Sequence, residues 1–556
     1  MSSKFSSRLK KTLAVAAAAA WLIVPAVLPN QQTMVYAAEA QAVSQNVLAN
    51  TENGQVRGFA KGGVRYWRGI PYAKPPVGEL RWRPPVKADN WQGVLDATEY
   101  KSEAAQTGYL GVFATAGGSE DCLYLNVAVP EKQPGDPDKL PVFVWIHGGA
   151  LVVGAGSDYD PSLLAKEGHA VVVTINYRLG AFGYFAHPAL DAEGHAAVNY
   201  GVMDQIAALE WVQRNIENFG GDPDNVTISG ESSGGQSSQI LMASPKAKGL
   251  FKNIIAMSSP VMYANGHSIS REQAEEKGIG LAKAAGLENA TAEELRSLST
   301  EEILALENNY LLDGIITRDG EYVPSSIAEA FKNGEVNGER LGIGNVQNEG
   351  SFFAALTESI AGKNMDEAAY RANLEALEKQ YAIPGFADKV MAEYPAEAYG
   401  SPAEAYAQVI TDSWFAAPIY RIADSLDSKL KVYYYEFSDP QCPKYVATDF
   451  EQGTAHTYEL PYLFPGFHGS SDIGTELTPK QQKVAKQMAK IWTGMSKVDE
   501  QGIWKRFDGD HARYLKLGQG KPQMADMKEY KQRHHFAFWQ NINISNFAVA
   551  KSLSYS

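Results

Sequence analysis

Short, fully apolar segments alternate with amphipathic segments in the first half of the chain. Between positions 199 and 219 the apolar residues recur every three or four positions, which predicts a helix with one face packed on a sheet. Continuous apolar runs at positions 140–146, 170–176, 226–228 and 254–257 predict strands that are buried on both faces of a sheet. Because strands and helices alternate, we expect an α/β fold with a central, mostly parallel sheet flanked by helices and joined by right-handed crossovers.

The pattern differs on either side of this region. Positions 51–68 alternate short β-like runs with glycines and predict antiparallel hairpins, and the proline-rich positions 67–78 predict a rigid extended segment. Charged, alanine-rich helical patterns dominate from about 271 to 423, with one strand at 341–344, so we expect a largely helical insertion over the carboxyl edge of the sheet. Positions 431–437 return to the sheet, 478–495 predict a helix, and 512–517 are expected to form the last edge strand.

Residues 1–37 have the order of a secretory signal peptide. Four basic residues precede an apolar run at positions 12–28, and a small-residue site follows at positions 35–37. An uncleaved membrane anchor is the alternative, but Pro25 interrupts the apolar run, which is short for a bilayer span. We therefore expect a secreted or periplasmic protein without a stable membrane anchor.

Charge and cysteine content narrow the function classes. Residues 1–37 carry four basic and no acidic side chains, so the chain without them has a net charge of −18 rather than −14. Such an acidic exported protein is a poor candidate for binding nucleic acid. The two cysteines, Cys122 and Cys442, could form one disulfide bond or remain free and buried. Neither clustered metal ligands nor a phosphate-binding glycine loop is present, so we expect no metal and no cofactor; the sequence carries no signal for the oligomeric state.

A G-x-S-x-G motif follows the apolar run at 226–228. Its serine, Ser232, stands between Gly230 and Gly234, where a strand is expected to turn sharply into a helix. Such a turn raises the serine hydroxyl above the sheet as a nucleophile, and the helix that follows directs N–H groups toward whatever the serine attacks. A surface turn of glycine and serine would look the same, so the motif requires partners. The adjacent Glu231 would either influence the site's potential or be purely structural.

A serine nucleophile needs a base, and the base needs an orienting acid. We predict His456 as the base, because its loop follows the strand at 431–437 and could reach the serine. Glu349, just past the strand at 341–344, is the candidate acid. Alone, His456 is more simply a surface or core polar residue and Glu349 a solvated loop carboxylate. The order serine, acid, histidine, however, is that of the α/β-hydrolase sheet.

These motifs identify a family. The chain resembles the type-B carboxylesterases, the carboxylesterase/cholinesterase family, and most of all their bacterial para-nitrobenzyl-esterase-like branch. The resemblance covers most of positions 51–540 and rests on these segments: 69–73, 119–127, 147–149, 176–180 and 199–234. It implies an α/β-hydrolase domain over about 45–550 whose helical insertion overlies the active site.

The resemblance also implies roles for individual residues. Ser232, Glu349 and His456 fall on the catalytic triad of the family, and the N–H groups of Gly149, Ala150 and Ser233 fall on its oxyanion hole. The implied activity is hydrolysis of a small-molecule carboxylic ester through an acyl-enzyme.

The chain departs from the family in four places. Ala150 replaces a glycine in the glycine run at positions 148–150, called here the oxyanion run. Ser233 replaces the usual alanine, which is a small change. The cysteine that pairs with the Cys122 position in the family is missing. The loop at 106–119 lacks the tryptophan that stacks on choline in cholinesterases, so acetylcholine is a poor candidate substrate.

Two other functions are considered beside ester hydrolysis. An amidase, thioesterase or peptidase could use the same triad. A non-catalytic binding protein of the cholinesterase type should have lost a triad residue, and this chain retains all three.

Overall fold

A thirteen-stranded mixed sheet organises the protein. The computed structural model describes residues 44–542 except 109–115, 134, 196–197, 261–267, 312–314, 468–474 and 510–511. The expected signal peptide, residues 1–37, lies outside the described residues. The strands of the sheet are β1 (Ser44–Thr51), β2 (Gly54–Lys61), β3 (Val64–Pro71), β4 (Val94–Asp96), β5 (Tyr124–Pro130), β6 (Leu140–Ile146), β7 (Val171–Ile175), β8 (Gly221–Glu231), β9 (Asn253–Met257), β12 (Arg340–Val346), β13 (Lys431–Phe437), β14 (Arg513–Leu517) and β15 (Gln523–Asp526). A separate pair is formed by β10 (Ser268–Ile269) and β11 (Ile316–Thr317).

The strand order shows how the sheet is built. It runs β1-β2-β3-β5-β7-β6-β8-β9-β12-β13-β14-β15, and β4 pairs with β2. The pairs from β7 through β14 are parallel, whereas β1, β2, β3 and β5 are joined antiparallel and β5 pairs antiparallel with β7. The predicted α/β fold with a central parallel region and an antiparallel beginning is confirmed.

Both faces of the central strands are covered, as their apolar runs predicted. In β6, Val142, Val144 and Ile146 belong to the hydrophobic core on one face, while Phe143 and Trp145 belong to the core on the other. Successive side chains of a strand point to opposite faces, so a run without polar residues requires helices on both sides.

Helices supply those two layers and the connections between strands. They are α1 (Ser162–Gly168), α2 (Gly180–Gly183), α3 (Pro188–Asp191), α4 (Tyr200–Asn215), α5 (Ser233–Ala243), α6 (Arg271–Ala284), α7 (Ala292–Ser297), α8 (Thr300–Leu311), α9 (Ile327–Asn333), α10 (Gly350–Ala361), α11 (Glu367–Tyr381), α12 (Phe386–Glu393), α13 (Pro402–Ile410), α14 (Ala417–Leu426), α15 (Pro479–Thr493), α16 (Val498–Gln501), α17 (Met527–Arg533) and α18 (Phe536–Asn541). A π-helical turn, Thr411–Ala416, joins α13 to α14.

Three sequence expectations need correction in detail. The strand before the G-x-S-x-G motif is eleven residues long and begins at Gly221, well before the apolar run at 226–228. The segment at 512–517 is not the last edge strand, because β15 pairs antiparallel with β14 outside it. The strand β11 was not predicted; two residues are too few to show a β pattern.

The structure also bears on a disulfide bond between the two cysteines and on membrane-spanning helices. Cys122 and Cys442 are both buried and free. Among the described residues, no helix has the length and apolar character needed to cross a membrane.

Candidate active site

The predicted site residues lie at the carboxyl ends of neighbouring parallel strands. Ser232 directly follows β8, and Gly149 and Ala150 follow the adjacent β6. Glu349 follows β12, and His456 lies in the loop after β13, which pairs with β12. The carboxyl edge of an open parallel sheet is where α/β proteins bind their ligands.

Ser232 stands on a strained turn. Its φ of 56° lies in the left-handed region, which a serine adopts only when the surroundings impose it. The Ser232 N–H donates to the Met257 carbonyl at the end of β9 (3.0 Å), and α5 begins at the next residue. A Cβ on Gly234 would collide with the carbonyl oxygens of Ile146 and His147, so the motif requires a glycine there. The predicted strand-to-helix elbow, positions 230–234, is therefore present.

The oxyanion run lies directly against the elbow. A Cβ built on Gly148 would be 3.4 Å from Ser232 Cβ and 3.3 Å from Glu231 Oε2. Ala150 and Leu151 both adopt left-handed conformations, with φ of 57° and 65°. Within the described part of the chain, neither the Gly149 nor the Ala150 N–H donates to another protein group, so both remain available to a ligand.

Ser233 contributes both a backbone N–H and a side-chain hydroxyl beside this run. Its N–H is the first of α5, where no intrahelical acceptor exists. Its hydroxyl oxygen accepts a hydrogen bond of 3.1 Å from the Leu151 N–H. The hydroxyl that distinguishes serine from the family's alanine thus fastens the oxyanion run to the elbow, a contact that the sequence did not indicate.

The His147 side chain is hydrogen-bonded to the same run. Its Nδ1 lies 2.8 Å from the Gly148 carbonyl oxygen, and because a carbonyl only accepts, Nδ1 carries the proton. The imidazole stacks on Tyr177 at 4.4 Å between ring centroids, and the Tyr177 hydroxyl donates to the His147 carbonyl at 2.8 Å. Burial lowers the pKa of His147 to about 4, although the hydrogen bond to Gly148 acts in the opposite direction. The ring is therefore neutral at neutral pH.

The Gly148 carbonyl belongs to the same peptide unit as the Gly149 N–H. A hydrogen bond accepted by the carbonyl polarises that unit and makes its N–H a stronger donor. His147 thereby contributes to the predicted oxyanion hole without contacting the substrate.

Glu349 and His456 are joined by a short hydrogen bond. His456 Nδ1 donates to Glu349 Oε2 at 2.6 Å, and both side chains are buried. Glu349 Oε1 accepts a second hydrogen bond, 2.9 Å long, from the Val346 N–H. The loops themselves are paired: the Asn348 N–H donates to the Thr454 carbonyl (3.0 Å), and the Thr454 N–H donates to Asn348 Oδ1 (3.1 Å).

Two other acids, Asp319 and Asp412, have different partners. Asp319 Oδ1 accepts N–H groups of its own loop, positions 321–323, and Asp319 Oδ2 accepts from the Asn199 amide. Asp412 is hydrogen-bonded to His534 and Tyr394. Of the three carboxylates, the structure brings Glu349 to His456.

The second nitrogen of His456 faces Glu231. Nε2 lies 3.2 Å from Glu231 Oε1, although the two atoms are not aligned for a hydrogen bond. In the described residues no hydrogen bond joins His456 to Ser232. Catalytic hydrogen bonds are often long or misaligned without substrate, so Nε2 and the serine hydroxyl remain candidates to meet on binding.

Two further buried glutamates surround the same imidazole. The pKa of Glu231 is raised well above its usual range, first by burial and then by the nearby charge of Glu349. Burial, followed by the charges of Glu231 and Glu349, also raises the pKa of Glu459 well above its usual range. Both shifts favour the neutral acids, whereas the hydrogen bonds that favour a carboxylate converge on Glu349.

The sequence left the role of Glu231 open and did not single out Glu459. Glu231 could be suspected because it stands inside the motif. Glu459 follows His456 by three residues, but an isolated loop glutamate carries no pattern that marks it as buried.

Three aromatic rings pack around the His456 imidazole. The centroids of Phe353 and Phe415 lie 5.4 and 5.3 Å from the imidazole centroid, and that of Phe352 lies 6.2 Å away. By contrast, the tyrosines at 433–435 are buried in β13. Among the described residues, no group of three or more histidine, cysteine or acidic side chains is arranged to hold a metal ion.

Known proteins match this arrangement over most of the chain. The profile of the carboxylesterase family matches residues 45–539. A para-nitrobenzyl esterase of Bacillus subtilis (strain 168) is 35% identical over 468 residues, which cover 81% of this chain and 90% of that protein. A Homo sapiens protein named cocaine esterase is 34% identical over 530 residues, covering 89% of this chain and 91% of that protein.

A solved structure agrees with these relatives. A thermophilic PNB esterase has a TM-score of 0.73 at 32% identity, and the match covers 88% of this chain and 99% of that one. The chain therefore belongs to the carboxylesterase family and is a serine hydrolase of carboxylic esters with the α/β-hydrolase fold.

Proposed function

We propose that Ser232 is the nucleophile of this esterase, His456 its general base and Glu349 the acid that orients the base. The observation that carries the proposal is the 2.6 Å hydrogen bond from His456 Nδ1 to Glu349 Oε2, at the sheet edge that also holds the strained Ser232. With the proton on Nδ1, the Nε2 lone pair of His456 is free to accept the serine proton.

Acylation follows from these roles. As Ser232 Oγ attacks the ester carbonyl carbon, its proton passes to His456 Nε2, and Glu349 stabilises the resulting imidazolium. The carbonyl oxygen becomes an oxyanion that accepts hydrogen bonds from the N–H groups of Gly149, Ala150 and Ser233. Each such donor is worth about 3 kcal/mol of transition-state stabilisation. When the tetrahedral intermediate collapses, His456 returns the proton to the departing alcohol.

Deacylation repeats the sequence with water. His456 takes a proton from the water that attacks the acyl-enzyme, and returns it to Ser232 Oγ as the carboxylic acid leaves. Glu231 lies on the Nε2 side of the resting imidazole. Burial raises the pKa of Glu231 and so favours its neutral form, which competes with the serine hydroxyl less than a second carboxylate would.

We further propose that the ester carries an apolar or aromatic group beside His456. The rings of Phe353 and Phe415 form an apolar surface next to the imidazole, and such a surface favours groups that lose little hydration on binding. Relatives named for para-nitrobenzyl and cocaine esters are consistent with this preference.

Export is a separate proposal. The basic, apolar and small-residue order of positions 1–37 supports cleavage and secretion of the protein. The mass and first residues of the protein recovered outside the cytoplasm test it: recovery of the full chain from the cytoplasm alone would contradict export.

The decisive experiment for the triad replaces the nucleophile. Ser232→Ala should lower kcat for a p-nitrophenyl ester by about a millionfold, by analogy with triad knockouts in other serine hydrolases. Ser237→Ala is the matched control. Ser237 lies five residues after Ser232, within α5, and its hydroxyl accepts from the Gln205 amide rather than taking part in the proposed chemistry, so activity should be kept. A Ser232→Ala protein with a tenth of the original activity would refute the assignment. The same assay with p-nitroanilides separates an esterase from an amidase.

A further inference from the structure

A largely buried charge cluster adjoins the acid turn, positions 345–350, which holds Glu349. It consists of Asp412 on the π-helical turn, Glu436 on β13, and Arg533 and His534 at the end of α17. His534 is completely buried, and both of its ring nitrogens face carboxylates: Nδ1 is 2.6 Å from Asp412 Oδ1 and Nε2 is 3.0 Å from Glu436 Oε1. A neutral imidazole can donate from only one nitrogen, so two carboxylate partners require the imidazolium.

The groups around His534 balance this charge. Arg533 Nη2 donates to both oxygens of Glu436, at 2.7 and 2.5 Å, and the Tyr514 hydroxyl lies 3.5 Å from the same nitrogen. With both Arg533 and His534 protonated, two cations face two carboxylates and the cluster is neutral. Removal of one cation would leave an uncompensated buried carboxylate, which is costly in a protein interior.

Neutral donors complete the shell. The Tyr394 hydroxyl donates to Asp412 Oδ2 at 2.8 Å, and Gln408 Nε2 donates to Asp412 Oδ1 at 2.8 Å. The Tyr530 ring packs on His534 at 4.4 Å between centroids. Burial alone lowers the pKa of His534, but the charges and hydrogen bonds of Asp412 and Glu436 outweigh burial and raise it above its ordinary value.

A first connection leads from the cluster to the acid turn, positions 345–350, through the π-helical turn. Thr411, next to Asp412, accepts a hydrogen bond of 2.9 Å from the Gly350 N–H, the residue after Glu349. Three residues beyond Asp412, Phe415 packs against the ring of His456. π-helical turns are rare and are found frequently at functional sites. The turn that carries Asp412 thus contacts both the acid turn and the base.

A second connection leads through α17. The Tyr530 hydroxyl, one helical turn before His534, donates to Asn345 Oδ1 at 2.6 Å and lies 2.8 Å from the Tyr434 hydroxyl. Asn345 is followed by Val346, whose N–H donates to Glu349 Oε1. The strand end that holds the triad acid is therefore supported by the helix that holds His534.

We propose that the His534 imidazolium is a positioning residue for Glu349 and His456: by holding Asp412 and Glu436 together, it fixes the π-helical turn and α17 behind the acid turn. This inference rests on the proposed function of Glu349 and His456. His534 acts through Asp412, Thr411, Tyr530 and Asn345, without contact with the substrate.

The raised pKa of His534 determines how kcat should change with pH. A histidine whose pKa is raised by folding contributes its stabilisation fully below its ordinary pKa and loses it as the pH rises through the folded value. The neutral ring then leaves two carboxylates with one cation, and the supports of the acid turn loosen. We expect kcat to fall on the alkaline side while KM stays nearly constant, because substrate contacts are not involved.

The test compares His534→Gln with His535→Gln. Both residues stand at the corner between α17 and α18, but His535 contacts Glu393 and Tyr399 and neither carboxylate of the cluster. With p-nitrophenyl butyrate at pH 7, His534→Gln should lower kcat about tenfold to a hundredfold, as expected when a triad is misplaced, with KM changed by less than about threefold. The alkaline fall of kcat should disappear in His534→Gln, and His535→Gln should behave like the original protein.

A double variant that keeps the charge cluster neutral controls for misfolding of the single variant. Asp412→Asn combined with His534→Gln removes one charge of each sign and should recover part of the lost kcat, since no buried carboxylate is left uncompensated. An alkaline fall that persists unchanged in the folded double variant would overturn the proposal, and so would an equal loss of kcat in His535→Gln.

Glu349→Gln in the same assay separates the two proposals. If Glu349→Gln leaves kcat intact, the proposed triad is wrong and this inference fails with it. If Glu349→Gln abolishes turnover while His534→Gln keeps the kcat and alkaline limb of the original protein, only the role of His534 is wrong.

Discussion

The two halves of the active site are held in place by different means. The serine half comprises positions 147–151 and 230–235 and is set by backbone geometry. Ser232, Ala150 and Leu151 adopt left-handed conformations, and the backbone packs so closely at Gly234 that no side chain fits there. The acid–base half, around Glu349 and His456, is held by side-chain hydrogen bonds and backed by the buried charge cluster.

The two halves should therefore respond differently to pH and to substitutions. Backbone geometry does not titrate, and the one imidazole in the serine half, His147, is neutral at neutral pH. The acid–base half depends on the protonation of the buried groups near it, namely Glu459, His534 and, from the serine half, Glu231. We therefore expect substitutions and pH changes near neutrality to act mainly through the acid–base half, and acid conditions to act through His147.

The largest expected effect distinguishes two glutamates that face opposite nitrogens of one imidazole. Glu349→Gln should lower kcat about ten-thousandfold, close to 5 kcal/mol in activation free energy, because an amide cannot stabilise the imidazolium. Glu231→Gln should lower kcat at most about tenfold, because burial raises the pKa of Glu231 and favours the neutral form that glutamine resembles. Steady-state kinetics of both variants measure this difference in kcat. Equal losses of kcat would contradict the assignment of the negative charge to Glu349.

A smaller effect concerns stability at acid pH. The pKa of His147 falls from its usual value of about 6.5 to about 4 on folding, so the unfolded chain binds more protons between these values and stability falls as the pH drops through them. Protonation of this one residue should cost about 3 kcal/mol of unfolding free energy. His147→Asn keeps a donor for the Gly148 carbonyl but does not titrate.

Urea unfolding at pH 7 and pH 4 measures that difference. The variant should lose less stability than the original protein over this interval. An identical loss in the two proteins would show that His147 does not titrate as its burial requires.

The smallest effect probes the fastening of the oxyanion run. Ser233→Ala removes the acceptor of the Leu151 N–H but keeps the Ser233 N–H position, so kcat should fall only a few-fold, corresponding to about 1 kcal/mol for one hydrogen bond. KM should change little. A loss above a hundredfold would mean that the Ser233 hydroxyl takes part in the chemistry, and an unchanged kcat would mean that the run holds its shape without it.

The same contrast explains what the sequence could predict. The serine half lies within contiguous motifs, and the central strands β6, β7 and β9 have uniform apolar runs, so patterns a few residues long predicted them. Glu349 and His456 could be selected only by their order along the chain and by the family resemblance.

The rest depends on contacts between distant segments. Asp412 and His534 are 122 positions apart, and no local pattern shows that their side chains meet. Glu459 and the Ser233 hydroxyl acquire their surroundings only when loops from different strands converge. β15 was missed because its four residues, half-buried or exposed, show no β alternation.

The position of α17 and α18 late in the chain has a consequence for biosynthesis. A growing chain folds from its N-terminal part first, so β6, β8 and the elbow can form before Tyr530 and His534 leave the ribosome. Until those helices dock, the acid turn lacks its support, and the nascent chain holds a nucleophile without an aligned base. We therefore expect proteolytic removal of these helices to lower ester hydrolysis while Ser232 remains intact.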